Sequence, residues 1–334
     1  MGNLKFSICI PAYNGASTIG ETLKSILSQS YQDFEIIISD DCSKDNTLQI
    51  ARSFKDERIR IFKNSKNLGY GKNLSILLKL VNGDILYFMG QDDILLKDAL
   101  LKTYHAFLLS DDIGAVTRPY YWFDENVKKP VRAVMPYSEK CDSVISIYDN
   151  EKAIQKVFES VGQLSSLAYR VKYIDCDFHE ETFTSHIYPF ACIMKKHSVV
   201  FLKDYPVAVR IASSQTRFKS SIYDISPTES WVKLFNTVFN EDKYKTAREV
   251  GIEQITKHFA GLVQLKLYSS FKNLIREISL LMKYRPKNIF DFRFWFFNLA
   301  TTLLPKRVLR LLVDEYKVKI LSRQLTNIPI QIKV

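Results

Sequence analysis

Residues 34–41, FEIIISDD, form an apolar run that ends on two carboxylates, and their reading decides the fold of the first third of the chain. An apolar run without polar alternation predicts a strand covered on both faces, as in a parallel sheet. Two other runs end in a comparable way: residues 6–10 (FSICI) lead into Pro11-Ala12-Tyr13-Asn14, and residues 85–89 (ILYFM) into Gly90-Gln91-Asp92-Asp93. Residues 58–63 (RIRIFK) read as a further strand. Between these runs, residues 17–29 set Ile19, Leu23, Ile26 and Leu27 at helical spacing, with Ser17 or Thr18 as cap. Residues 47–54, 70–81 and 95–109 read as helices too. Repeated strand–helix units predict an α/β fold: a mainly parallel sheet with helices on both faces.

Outward from this frame the pattern loosens. Residues 115–123 read as one strand and 151–161 as a helix, while 183–202 mix both signals. Beyond Thr228 the spacing predicts helices over 229–239 and 244–282, with a break at Pro286. The expected division is 1–110, 111–225 and a helical extension over 226–334.

Open parallel sheets bind ligands beyond the carboxyl ends of their strands. Here three such ends carry polar residues in register on successive units. The first lacks the G-x-G-x-x-G turn that lets a backbone approach a dinucleotide pyrophosphate, and no Walker A loop is present. Dinucleotide binding and P-loop chemistry are therefore disfavoured.

Taken with residues 25–47, with NLGYGKN at 67–73 and with GDILYFMGQDD at 83–93, these strand ends resemble glycosyltransferase family 2. The resemblance covers about residues 4–110 and implies the GT-A fold, a Rossmann-like α/β domain that binds a nucleotide-sugar. It implies that 1–110 is the donor half, that 111–225 holds the acceptor, and that transfer inverts the anomeric centre. It implies that Pro11, Ala12, Tyr13, Asn14, Asp40, Asp41, Asn67, Gly69, Lys72, Asn73, Gln91 and Asp92 line the donor, with Asp41 facing the base. An ionised carboxylate only accepts hydrogen bonds, which suits the imide N–H of uracil or thymine and favours a UDP- or dTDP-sugar. Asp93, with Asp92, matches the family's acidic metal motif. Carboxylates alone would repel a diphosphate, and Mn²⁺ or Mg²⁺ between them reverses that sign. Many relatives carry a further Asp where this chain has Gly90.

Inverting transfer needs a base within hydrogen-bond reach of the acceptor hydroxyl. Asp175, Asp177, Glu180, Glu181 and His186 compete for that role, with Glu181 preferred and Asp177 and His186 next. Cys176, Asp177, His179 and His186 have no usual zinc spacing. The five cysteines are widely spaced with no C-x-x-C pair, so neither a disulfide framework nor a zinc site is expected.

The formal net charge is +11. Residues 280–334 hold eleven Lys/Arg against three Asp/Glu, an excess of eight. They also hold FDFRFWFF at 290–297, six aromatics in eight residues, followed by Lys306, Arg307 and Arg310. Apolar mass beside clustered basic charge predicts either a core helix with a basic outer face or a helix lying on an anionic membrane surface. No apolar run reaches 18 residues and no secretory leader is visible, so the expected location is cytoplasmic, peripheral on the inner face of the cell membrane. The leading reading is a transferase of surface polysaccharide synthesis (O-antigen or capsule) acting on a polyprenyl-diphosphate-linked saccharide. The alternative is a nucleotide-sugar-binding scaffold of the same fold without turnover. A nucleic-acid partner would rest on net charge alone and is not expected.

Overall fold

The computed structural model describes residues 3–181, 183–211 and 220–316, together with Lys319, Leu325 and Ile328. The chain divides after Ile211 into two compact units.

In the first unit, β1 (Phe6–Ala12) lies between β2 (Phe34–Asp40) and β4 (Ile85–Phe88), parallel to both, and β3 (Ile59–Lys63) pairs in parallel with β2. Ile8, Ile10, Ile36, Ile37, Ile38 and Leu86 have no exposed surface, because both faces of the sheet are covered. Helices α1 (Ile19–Leu27), α2 (Thr47–Ser53) and α4 (Ala99–Leu108) deliver Ile19, Leu23, Ala51 and Leu100 to one cluster with Ile8, Ile10, Ile36 and Ile38. Helix α3 (Tyr70–Leu80) packs on β1 and β2 and buries Leu74 and Leu77 outside that cluster.

The sheet continues through β10 (Ala168–Arg170), β6 (Ile113–Thr117), β11 (Ser198–Phe201) and β9 (Ser143–Ile145), giving the order β3-β2-β1-β4-β10-β6-β11-β9. Strand β10 runs antiparallel to both neighbours, and β9 antiparallel to β11. A second sheet orders β5 (Ile94–Leu95), β12 (Val207–Arg210), β7 (Tyr120–Phe123) and β8 (Pro130–Val134). Helix α5 spans Glu151–Ser160 and α6 spans Ile187–Met194.

Three expectations are corrected. The strand expected over 115–123 is two strands in different sheets, broken at Arg118-Pro119, where proline has no N–H to continue a ladder. The helix expected from Leu95 begins at Ala99; Leu95 pairs with β12 instead, and the left-handed Asp98 (φ 58°) turns the chain. The mixed stretch 183–202 resolves into α6 and then β11.

The second unit is helical: α7 (Pro227–Val238), α8 (Lys245–Thr256), α9 (Gly261–Tyr268), α10 (Phe271–Tyr284), α11 (Phe292–Leu303) and α12 (Lys306–Tyr316). The helix expected over 244–282 is therefore three, the last restarted by Ser270, whose hydroxyl accepts from the Asn273 N–H at 3.2 Å. Buried Glu277 anchors the start of α7, accepting from Ser226 Oγ at 2.5 Å and from the Thr228 N–H at 2.8 Å. Helix α11 buries Phe294 against Phe259 and α12 buries Leu309, while Phe290, Phe292, Leu303 and Leu311 are 89%, 81%, 74% and 67% exposed. Among the described residues, no helix is long and apolar enough to cross a membrane.

Candidate active site

The registers Ala12↔Asp40 and Cys9↔Phe88 bring the carboxyl ends of β1, β2 and β4 to one edge of the sheet. Their loops are joined by side-chain hydrogen bonds to backbone. The Gln91 amide grips Tyr13 on both sides, accepting from its N–H and donating to its carbonyl, each at 2.9 Å. Asn14 donates its N–H to Ser43 Oγ at 2.9 Å and accepts from the Lys44 N–H at 2.8 Å. Gly15 donates to Thr47 Oγ1 at 2.8 Å. Three loops distant in sequence thus form one ledge.

Several sequence-predicted residues hold this ledge from beneath. Asp41 is buried; its Oδ1 accepts from Asn64 Nδ2 at 2.9 Å and the Leu68 N–H at 2.8 Å, and its Oδ2 accepts from the Gly69 N–H at 2.8 Å. Asp40 is fully buried: Oδ2 accepts from the Ser43 N–H at 3.0 Å, and Oδ1 has no hydrogen-bond partner among the described residues. Asn73 ties α3 to β2, accepting from Ser39 Oγ at 2.6 Å and donating to the Ser39 carbonyl at 2.9 Å. Ala12 is buried, Pro11 and Tyr13 are half-buried, and Asn67 and Lys72 are exposed.

Asp93 is buried beside half-exposed Asp92. Its Oδ1 accepts from the Arg210 N–H at 3.0 Å and its Oδ2 from Ser165 Oγ at 2.5 Å. The Arg210 guanidinium goes to the Asp92 carbonyl oxygen at 3.1 Å and to the Glu21 carboxylate. Burial first, and then the neighbouring Asp92 charge, push the Asp93 carboxyl up to about 8. A side chain at Gly90 would crowd both acids, since a Cβ there would lie 2.8 Å from Asp93 Oδ2 and 3.2 Å from Asp92 Oδ1. Both carboxylates therefore turn an oxygen toward the same backbone point. Two hard oxygen donors in a site that disfavours their own charge fit Mg²⁺ or Mn²⁺.

The segment carrying the base candidates lies against the start of α3. A Cβ on Gly71 would stand 2.6 Å from the His179 carbonyl oxygen, and Lys72 pairs with Glu180 at 3.4 Å. His186 is buried, with Nδ1 3.1 Å from the Tyr70 hydroxyl. Burial pushes its pKa down to about 4, so it is neutral at pH 7. The Tyr70 hydroxyl is held well above its ordinary value by burial and then by the Asp93 charge. Glu181 is half-buried, Asp177 is exposed, and Asp175 is paired with Lys196.

Sequence reading missed Ser165 and Arg210. They reach Asp93 across 72 and 117 residues, from a short turn and a short strand with no local motif. It also missed Arg118, fully buried, which donates to the Tyr87 hydroxyl at 2.7 Å and the Ser166 carbonyl at 3.1 Å and so braces the turn that presents Ser165.

Comparison with known proteins gives a consistent result. The family model described as Glycosyl transferase family 2 matches residues 7–143. An uncharacterized glycosyltransferase of Haemophilus influenzae is 26% identical over 251 residues, which is 73% of this chain and 91% of that protein. The Escherichia coli UDP-Glc:alpha-D-GlcNAc-diphosphoundecaprenol beta-1,3-glucosyltransferase WfaP is 42% identical over 87 residues, 26% of this chain and 35% of that one, so the match spans about a third of its length. The structure of Staphylococcus aureus TarS 1–349 with UDP-GlcNAc aligns at a TM-score of 0.65 and 18% identity, over 96% of this chain and 91% of that chain. That last likeness is one of fold.

Proposed function

We propose that this chain, whose residues 7–143 match the Glycosyl transferase family 2 model, is an inverting, metal-dependent transferase that moves a sugar from a UDP- or dTDP-sugar to a lipid-linked saccharide. The observation that carries this reading is the ledge at β1, β2 and β4, with Asp92 and Asp93 converging at its end. Residues 11–14 line the nucleotide, and Asp41 faces the base. Its Oδ2 accepts only one hydrogen bond from the described residues, which leaves a lone pair for an imide N–H. Asp93 and Asp92 would hold a divalent cation, whose chemistry when bound is to offset the negative charge of a diphosphate leaving group. Ser165 and the Arg210 N–H fix the Asp93 carboxylate, and Lys72 adds positive charge at the start of α3.

The acceptor is held by 111–225. Glu181, ahead of exposed Asp177 and of buried, neutral His186, takes the proton of the acceptor hydroxyl. A diphosphoundecaprenol acceptor, as named for WfaP, suits the second unit, whose exposed Phe290, Phe292, Phe296, Leu303 and Leu311 accompany Lys306, Arg307 and Arg310. Rings favour the headgroup boundary and basic residues an anionic leaflet. We accordingly place the protein on the cytoplasmic face of the membrane, in surface polysaccharide synthesis.

The test is release of nucleoside diphosphate from a panel of UDP- and dTDP-sugars with Mn²⁺ or with chelator, supplying a diphosphoundecaprenol-linked saccharide. The expected result is metal-dependent turnover that Asp93→Ala lowers at least ~10³-fold. Unchanged turnover in that variant defeats the metal assignment, and donor binding without hydrolysis or transfer supports a scaffold instead.

A further inference from the structure

We infer that Cys176 and Cys192 are a redox pair that closes to an intramolecular disulfide when a hydroperoxide oxidises the protein. Fifteen residues lie between them, so no sequence motif announces the pair. The fold nevertheless sets the two sulfurs and a carboxylate oxygen of Asp175 within 4.8 Å of one another. Both thiols are half-buried, so a small oxidant can reach them, whereas Cys9 is sealed in β1.

The surroundings favour oxidation over a cation. The carboxylate of the cluster is paired with Lys196, and Lys195 adds a second positive charge near Cys192. A bound metal ion would have to displace one of those charges and tolerate the other. A thiolate gains from both, and the thiolate is the form that reacts. Lys195 and Lys196 favour a thiolate on Cys192, whereas Asp175 and Asp177 disfavour one on Cys176, so Cys192 is the attacking sulfur and Cys176 resolves. Cys176 stands in irregular chain between a short turn at Val171–Tyr173 and α6, where backbone can shift to bring the sulfurs to bonding distance.

The step balances as follows. The Cys192 thiolate attacks one peroxide oxygen, the O–O bond breaks, and the released hydroxide leaves as water, giving a sulfenic acid. Cys176 then attacks that sulfur, the S–S bond forms, the S–O bond breaks and a second water leaves. Two thiols lose two electrons and two protons, and the peroxide oxygens gain them. The bond would close a 17-residue ring, from 176 to 192, around the segment that carries Asp177, Glu181 and His186. Oxidation would therefore restrain that segment against α6.

The test is chemical, made on the intact chain, and does not depend on the transferase reading. The reduced chain is treated with stoichiometric hydrogen peroxide, alkylated and mapped by mass spectrometry. The expected result is a loss of 2 Da, a 176–192 cross-linked peptide reversed by dithiothreitol, and Cys42 and Cys141 still alkylated as free thiols. Cys192→Ser is expected to abolish both the cross-link and sulfenic labelling at the site, and Cys176→Ser the cross-link alone, leaving a trapped sulfenic acid on Cys192. The inference is overturned if Cys176 and Cys192 of the unmodified sequence stay separately alkylated after peroxide. It is equally overturned if the reduced chain retains one Zn²⁺ that both variants lose and peroxide yields no cross-link.

Discussion

The edge of the first unit at the ends of β1, β2 and β4 and the last two helices of the second invert each other's use of side chains. At the edge, Asp40, Asp41, Asn73 and Asp93 are buried, and their hydrogen bonds go mostly to the chain's own N–H and O–H groups. In α11 and α12 it is phenylalanine and leucine that face outward, beside Lys306, Arg307 and Arg310. Burying a polar group costs stability unless it is satisfied, and exposing an apolar one leaves hydrophobic free energy unused. On the proposed function, the first region would serve a cation and a diphosphate and the second an apolar, anionic surface.

The comparison sharpens first at the helices. Replacing Phe290, Phe292, Leu303 and Leu311 by Ser should leave the fold intact, since all four are exposed, and should lower partition onto anionic liposomes at least ~10²-fold. Changing Lys306, Arg307 and Arg310 to Gln should cost about 1 kcal/mol each on anionic vesicles and nothing on neutral ones. Sedimentation with the two vesicle types reads both effects; unchanged partition in both variants would make this face merely a solvated one.

The opposite signature is expected at Asp41. Asp41→Ala leaves the Leu68 and Gly69 N–H groups and the Asn64 amide without their acceptor and should lower stability by about 2–4 kcal/mol in denaturant titration. A loss within error would mean that the loop before α3 does not depend on that carboxylate.

A smaller effect, of distinctive sign, belongs to Asp93. Its folded pKa is raised above that of an unfolded aspartate, so without metal the folded state holds the proton more tightly. Stability is then fully present below about pH 4 and falls as pH rises through about 8. Asp93→Asn should flatten that slope and stabilise the metal-free protein at pH 8 by roughly 1–2 kcal/mol. Thermal unfolding in chelator across pH 5–9 reads it, and parallel pH profiles for the two proteins would refute the buried-charge account.

Much of this strand-end edge is legible in the sequence because its residues follow strands that announce themselves. Residues 34–41 and 85–93 each carry an apolar run and its polar terminus in one local word, so β2 and β4 emerge together with Asp41 and Asp93. What stays hidden is what reaches those residues from afar. Ser165 lies in a three-residue turn, Arg210 ends a four-residue strand, and both find Asp93 only through tertiary pairing. The split at Arg118-Pro119 is written in the proline, yet the apolar pattern runs straight across it. The exposure of α11 is hidden for another reason: an aromatic stripe has the same spacing whether it meets a core or a lipid, and packing distinguishes the two, since among the described aromatics of α11 Phe294 is the one fully buried, against Phe259.

The most direct measurement is the thermal shift produced by UDP with and without Mn²⁺, on the unaltered sequence and on Asp93→Ala. A ligand that binds only the folded state raises its stability by mass action. UDP should stabilise the protein only when Mn²⁺ is present, and Asp93→Ala should erase that difference. An equal shift in chelator, or a metal-dependent shift that survives in Asp93→Ala, would contradict the account.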